Sequence, residues 1–328
     1  MTVDGYKLKM GADDYFVKGV AYSVYGTTQG AVGQPHQFAA TDAPLLKAAG
    51  VTTIRTYYPI TDHAVLDAFW AQGIGVLQQV WMDSGNTYVN SEPGFEALHG
   101  RQWDANLTAA IVCEVVSHPA IVGWLVGNEP NVHYTGSPTR ASIYDDINSV
   151  IAAIKALDTT RPTVVCWGYL PTPATLARIP HADVWGTNMY TGLSFGTMYA
   201  DWQARSAKPL IVTEYGIDAY DSRVGAENQQ MQAAGLTMMS DELLANNAVS
   251  AGGVVAGFFW FQWSDEWNRV ADTHTQHDTT AGWTSDLFPD PEIQDEWFGL
   301  NAISGPASTR VPRLAMHSFR DLVMPGTS

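Results

Sequence analysis

The sequence is short of positive charge. Only 17 of its 328 residues are Lys or Arg, against 33 Asp and Glu, which leaves a formal charge of −16 and a pI near 4.7. Nucleic acids and anionic membranes are held by clustered basic side chains, so neither is an expected partner. A neutral ligand such as a sugar suits this surface better. Cysteine is scarce too, with two in the chain. Cys113 lies in a helical stretch and Cys166 in an apolar strand-like run, and both read as small buried hydrophobes rather than a disulfide framework. No apolar run reaches the roughly 18 residues of a membrane span, and Met1 to Met10 lacks the basic-then-apolar pattern of a secretory leader. As given, the chain reads as cytoplasmic, or as secreted if a leader has been removed. There is no Gly-rich phosphate loop, internal repeat, low-complexity tract or linker, so residues 1–328 read as one domain.

What is present is apolar material, 46% of the residues, enough for one large core. Strand-like runs occur at Tyr15 to Tyr22, Thr52 to Tyr57, Gly75 to Val80, Ile121 to Gly127, Thr163 to Trp167, Val184 to Asn188, Pro209 to Thr213 and Val254 to Trp260. Helical periods fall between them, for example at Thr41 to Ala49, His63 to Gln72, Trp103 to Val116, Ile143 to Leu157 and Gln229 to Ser250. Such alternation predicts βαβ units around a parallel sheet, and eight of them make a (β/α)8 TIM barrel, an α/β fold. The residues before Lys18 predict a small N-terminal hairpin over the barrel bottom. The segment from Ser264 to Glu296, rich in Asp, Thr and Pro, follows the eighth strand and predicts a long irregular loop on the catalytic face.

Two strand ends carry the chemistry. In Ile121-Val-Gly-Trp-Leu-Val-Gly-Asn-Glu-Pro130 an apolar strand runs into Asn128 and Glu129, and Pro130 stops it. In Pro209-Leu-Ile-Val-Thr-Glu-Tyr-Gly216 a buried strand again delivers a carboxylate, Glu214. Either Glu alone could be a solvated loop residue. Two at matching ends of the fourth and seventh strands would face each other across the barrel mouth. Acetal cleavage needs that pair, one acid to protonate the leaving oxygen and one carboxylate to attack the anomeric carbon.

These motifs resemble glycoside hydrolase clan A, whose retaining enzymes place the acid/base after an Asn on strand four and the nucleophile at the end of strand seven. The likeness covers essentially the whole chain, and Tyr15-Phe-Val-Lys-Gly-Val-Ala-Tyr22 is similar to the first strand of family 2 β-glycosidases. It implies Glu129 as acid/base, Glu214 as nucleophile and Asn128 as a hydrogen bonder to the sugar 2-hydroxyl. It also implies that Arg55, in Thr52-Thr-Ile-Arg-Thr-Tyr-Tyr-Pro59, supports the nucleophile and that Tyr190, in Gly186-Thr-Asn-Met-Tyr190, hydrogen-bonds it. Gly257-Phe-Phe-Trp-Phe-Gln-Trp-Ser-Asp-Glu-Trp267 resembles the eighth strand, with Trp260 as the floor of the sugar subsite and Trp263 as the alternative. Sugars pack their C–H faces on aromatic rings. Most of the 12 tryptophans must serve the core, and Trp81, Tyr57, Trp167 and Trp267 are the further aromatics expected near the groove.

Rival signals are weaker. Gly192-Leu-Ser-Phe-Gly196 spells the nucleophile elbow of a serine esterase, but Ser194 comes several residues after the strand end instead of at a strand-to-helix turn. His274 and His277 with Asp272 and Asp278 match no metal-ligand spacing, and retaining sugar chemistry needs no metal or cofactor. His133 either lines the groove or starts the following helix. The expectation is therefore a retaining hydrolase or transglycosylase of β-linked oligo- or polysaccharide, the alternative a non-catalytic carbohydrate-binding barrel. Asp265-Glu266-Trp267 with Asp295-Glu-Trp-Phe-Gly299 suggests β-glucans.

Overall fold

A computed structural model describes residues 1–22, 37–80, 105–133, 140–267, 277–280, 282–304 and 309–325. The chain opens with β1 (Thr2–Asp4), β2 (Lys7–Met10) and β3 (Asp13–Tyr15), the expected antiparallel hairpin extended to three strands. The barrel follows: β4 (Val17–Tyr22), β5 (Thr53–Thr56), β6 (Gly75–Val80), β7 (Ile121–Val126), β8 (Thr163–Gly168), β9 (Val184–Asn188) and β10 (Leu210–Tyr215). After a small ladder of β11 (Tyr220–Asp221) and β12 (Ala226–Glu227), β13 (Val255–Trp260) pairs in parallel with both β10 and β4 and closes the circle. All eight expected strands are present, with ends shifted by a residue or two. Helices Ala39–Ala48, His63–Trp70, Ala105–Val115, Arg140–Leu157 and Gln229–Ala245 pack outside. The last stops short of the expected Ser250, where Asn246 closes it by donating its N–H back to Glu242 and Leu243.

Strands buried on both faces are nearly all apolar, because each side chain faces either the interior or the helical layer. Alternate residues sort accordingly. Leu77, Leu125, Val164, Cys166, Ile211 and Phe259 form the interior cluster, while Trp124, Val165, Trp185, Val212, Phe258 and Trp260 belong to the cluster shared with the helices. Leu8 of the N-terminal sheet joins the interior cluster with Val17, so that sheet plugs the barrel bottom as expected. The Tyr15 hydroxyl fastens it, 2.7 Å from Thr53 Oγ1. Cys113 departs from expectation: it is exposed, because Ile111, Val112 and Val115 take the inward face of its helix and the 3.6-residue period turns position 113 to solvent.

The stretch after the eighth strand is more ordered than its composition suggested. Within its described part, β14 (Gly282–Thr284) pairs antiparallel with β15 (Glu292–Gln294), and a single 3-10 turn, Asp295–Trp297, follows. β16 (Asn301–Ser304) and β17 (Thr309–Pro312) lead into the final helix, Leu314–Val323. Fully buried Arg313 binds this region together. Its Nη1 and Nη2 donate to the two carboxylate oxygens of Asp265 at 2.6 Å each, and its Nε donates to Glu227. His277 Nε2 lies 2.6 Å from Asp265 Oδ2, and its ring stacks on Trp297 at 3.8 Å. Removing either member of such a buried pair strands a charge, at a cost of about 3–5 kcal/mol.

Asp218, after β10, accepts the Gln294 N–H at 3.1 Å and so pins β15 to the loop of the seventh barrel strand. Burial pushes its carboxyl up to about 8. An unfolded Asp titrates near 3.9, so between roughly pH 4 and 8 the folded chain keeps a proton that the unfolded chain releases. Stability carried by this group is therefore complete at the acid end and is lost as pH rises through that window. Asp218→Asn should gain in melting temperature relative to wild type from pH 5 to pH 8. A pH-independent difference between the two melting curves would show that Asp218 does not hold the proton.

Candidate active site

The C-terminal ends of the barrel strands meet around one buried carboxylate. The pairing of β10 slips register after Val212 with both neighbours. Such an irregularity re-aims side chains, and here successive residues enter one network: Thr213 Oγ1 donates to Asn188 Oδ1 at 2.7 Å, and Glu214 Oε1 meets Arg55 Nη1 at 2.6 Å. Glu214 is 6% exposed and Arg55 fully buried. Two phenols complete the shell. Tyr57 donates to Glu214 Oε1 at 2.7 Å and Tyr190 to Oε2 at 3.0 Å, while the Arg55 guanidinium lies 4.6 Å from the centroid of the Tyr57 ring.

Arg55 also reaches the fourth barrel strand. Its Nη2 donates to Asn128 Oδ1 at 2.5 Å, and Asn188 Nδ2 donates to the same oxygen at 3.2 Å. A guanidinium can only donate, so the amide orientation is settled: Asn128 turns its oxygen to Arg55 and keeps its NH2 for another acceptor. Glu129, next in the chain, is half-buried and sits at φ +48°, with its N–H bonded to Cys166 O at 3.2 Å. A non-glycine residue in the left-handed region costs of order 1–3 kcal/mol and persists where surrounding structure imposes it, most often at functional sites. Pro130 then starts a short helix that ends at His133.

The electrostatics follow from burial and from these partners. Burial pushes the Glu214 carboxyl above its usual range. Arg55 pulls it down, the charge of Glu129 pushes it up, and the hydrogen bonds from Tyr57 and Tyr190 lower it. Burial holds both phenols well above their ordinary values, so they remain protonated donors. Burial alone would lower Arg55, but the acidic groups around it, Cys166, Tyr57, Glu214 and Glu129, raise it instead. Its charge is permanent. Burial also lifts the Cys166 thiol to about 11.

Of the residues singled out in the sequence, Arg55, Tyr57, Asn128, Tyr190 and Glu214 are brought into direct contact, and Glu129 is coupled to them through its charge. The tryptophans are not. Trp260 is fully buried on the outer side of the barrel wall, edge-on to Tyr215 at 5.3 Å, because it alternates with inward-facing Phe259. Trp263 is also fully buried, in the same large apolar cluster as Phe261. Trp167 stacks on Tyr144 of the helix Arg140–Leu157 at 6.1 Å, since Cys166 takes the inward position beside it. Trp267 packs against His277 at 5.1 Å, within the Arg313 cluster. Trp81 lies outside the described residues, as do Asp272 and His274. Ser194 is exposed in a loop and accepts the N–H of Gly196, away from any strand-to-helix elbow.

Three residues of the site escaped the sequence reading. Phe261, next after Trp260, lies edge-on to Tyr57 at 6.2 Å and to Tyr190 at 6.5 Å. Strict alternation from Phe259 would have pointed to it. Asn188 ends β9 and bonds Arg55, Asn128 and Thr213 together; the sequence marks it only as a polar residue closing an apolar strand. Cys166 is buried as expected, but its Sγ lies 3.3 Å from Asn188 Oδ1 and 3.4 Å from Asn128 Oδ1.

Comparison with known proteins agrees with this architecture. Residues 13–249 match the family model described as Glycosyl hydrolases family 2, TIM barrel domain. The β-glucuronidase of Homo sapiens is 32% identical over 114 residues, a stretch that covers 31% of this chain and 16% of that protein. Among solved structures, a β-galacturonidase from Eisenbergiella tayi bound to galacturonate superposes with a TM-score of 0.67 at 18% identity, covering 98% of this chain and 53% of that one. A Bacteroides uniformis β-glucuronidase gives 0.69 at 16% identity, covering 99% of this chain and 37% of that one. At such identities the structures speak for the fold, and this chain spans about half their length or less.

The three donors on Glu214 make a direct expectation. Each stabilises the anion, so removing one must raise the carboxyl further. Tyr57→Phe and Tyr190→Phe should each shift the Glu214 titration to higher pH, as followed by carbon NMR of labelled glutamate. An unchanged titration in both variants would mean that the phenols do not bond the carboxylate in solution.

Proposed function

Because this chain belongs to the glycosyl hydrolases family 2, as its TIM barrel domain, we propose that it cleaves β-linked glycosides with retention of configuration, Glu214 acting as nucleophile and Glu129 as acid/base. The observation that carries this reading is the shell of Glu214. Burial and three directed donors hold one carboxylate in a fixed orientation, while Glu129 stands at the neighbouring lip, only partly buried. One carboxyl is built to stay and the other to exchange protons.

In the first step a Glu214 oxygen attacks the anomeric carbon while Glu129 gives its proton to the departing oxygen. Oε2 is the better placed atom, since Oε1 already accepts from both Arg55 and Tyr57 and Oε2 from Tyr190 alone. In the second step water adds to the anomeric carbon, Glu129 takes its proton back, and the bond to Glu214 breaks. An acceptor alcohol in place of water would give transglycosylation. The free NH2 of Asn128 serves as donor to a hydroxyl of the attacked sugar, and Phe261, between Tyr57 and Tyr190, supplies an apolar floor.

As to substrate, the names of the relatives support a β-linked uronide, a glucuronide or galacturonide. The β-glucan suggested by the segment around Asp295 finds no counterpart in those names. Paired 4-nitrophenyl β-D-glucuronide and β-D-glucoside, together with the β-D-galacturonide and defined β-glucans, discriminate directly. Faster turnover of the uronides is expected.

The roles are tested by substitution. Glu214→Gly should abolish turnover on every substrate. Glu129→Ala should lose about 10²–10⁴-fold with poor leaving groups, the usual contribution of general acid–base catalysis, yet spare activated aryl glycosides and be rescued by azide. Equal losses on both kinds of substrate, without rescue, would overturn the assignment. Retaining enzymes hold their carboxyls roughly 5 to 5.5 Å apart, and proton NMR of the first-formed sugar should show the substrate's own anomeric configuration. Initial inversion would remove Glu214 from the nucleophile's role.

A further inference from the structure

One aromatic side chain near this site is absorbed neither by the catalytic scheme nor by the core. Trp283, on β14, is 37% exposed. Its indole stacks nearly parallel on Phe298, with ring centroids 5.9 Å apart and planes 14° from each other, and Phe298 is fully buried. The same indole meets Tyr190 edge-on at 5.4 Å, and the hydroxyl of Tyr190 is bonded to Glu214 Oε2. Trp283 therefore stands one ring away from the nucleophile, as the solvent-facing member of a series with Phe261, Phe298 and Tyr190.

Its place is held firmly. β14 pairs with β15, whose Gln294 N–H is accepted by Asp218. Asp290, in the intervening turn, accepts from the Ser222 N–H at 2.6 Å and from its hydroxyl at 2.5 Å, and Arg223 donates to Pro289 O at 2.7 Å. On the other side Gly192, at φ +86°, lets the loop after β9 approach so closely that a Cβ there would lie 2.4 Å from Leu287 O. A large apolar ring fixed by this much structure, yet left partly in water beside a reaction centre, is what recognition of another ring requires.

The direction of the chemistry says which ring. In an in-line displacement the leaving group departs on the face opposite the nucleophile. With Glu214 6% exposed and Phe261 5%, the proposed roles put the attacked sugar at the floor and the ring it leaves behind nearer solvent, and Trp283 is the exposed ring next to Tyr190. We propose that Trp283, backed by Phe298, forms a leaving-group subsite that packs against the ring attached to the attacked sugar, whether a second pyranose or an aryl aglycone. This rests on Glu214 being the nucleophile.

Three substrates with one glycone test it: the methyl glycoside, the phenyl glycoside and a disaccharide. For Trp283→Ala, KM of the phenyl glycoside and of the disaccharide should rise about tenfold, within the range measured for aromatic pairs, while KM of the methyl glycoside stays unchanged. Trp283→Phe should recover most of the loss. A rise confined to the phenyl glycoside or to the disaccharide supports the subsite and names its occupant. Unchanged KM throughout, or an equal rise for the methyl glycoside, overturns the proposal. Thermal melts of both variants confirm the fold, and tryptophan-fluorescence titration of the Glu214→Gln protein with the three glycosides, with and without Trp283→Ala, repeats the comparison without turnover. Failure of the nucleophile assignment shows elsewhere, as retained activity in Glu214→Gly.

Discussion

The ion pair between Arg55 and Glu214 organises this barrel mouth. Both groups are buried, and taking two charges out of water costs several kcal/mol per ion unless geometry and further hydrogen bonds repay it. Repayment comes from every side. Arg55 spends its donors on Glu214, Thr213 O, Asn188 and Asn128, and Glu214 accepts from two phenols besides. The second barrel strand thus fixes the orientation of groups on the fourth, sixth and seventh. A smaller cation could not, since only a planar guanidinium presents several donors in a fixed fork.

That constraint explains the asymmetry of the two carboxyls. Glu214 lies inside a closed set of donors, whereas Glu129 stands at a left-handed turn of the backbone, and its charge raises the Glu214 carboxyl. Different environments make chemically different groups of the same side chain. Cys166 and Asn188 lie beneath both and join them, so the interior of the barrel serves as a rigid base for the site above it.

A second buried pair, Arg313 with Asp265, does for the rim what Arg55 does for the floor. It ties the segment after the eighth strand to the final helix and, through His277, to Trp297. Together with Asp218 and Asp290 it converts a segment of loop-like composition into a wall. The aromatic series from Phe261 to Trp283 runs up that wall.

Much was legible in the residues alone. Period-2 and period-3.6 apolar patterns reflect local burial, which is why all eight strands, the barrel, and the strand-end positions of Asn128, Glu129 and Glu214 could be placed from sequence. Arg55 and Tyr190 came from likeness to a family, and the structure brings them to Glu214. What the pattern did not determine is which face a side chain takes where both faces are buried. Trp260 turns to Tyr215 and Trp167 to Tyr144, while Phe261 meets Tyr57 and Tyr190, and for Trp260 against Phe261 the difference is one residue in register, which composition does not record. Nor did it show that Asn188 and Cys166 meet Asn128, or that Phe298 and Trp283 pack against Tyr190, since these residues are far apart in the chain. Closure of the barrel and the clamp of Arg313 decide that convergence, because only the folded chain brings such distant backbone segments within the few ångströms over which hydrogen bonds and ring contacts act.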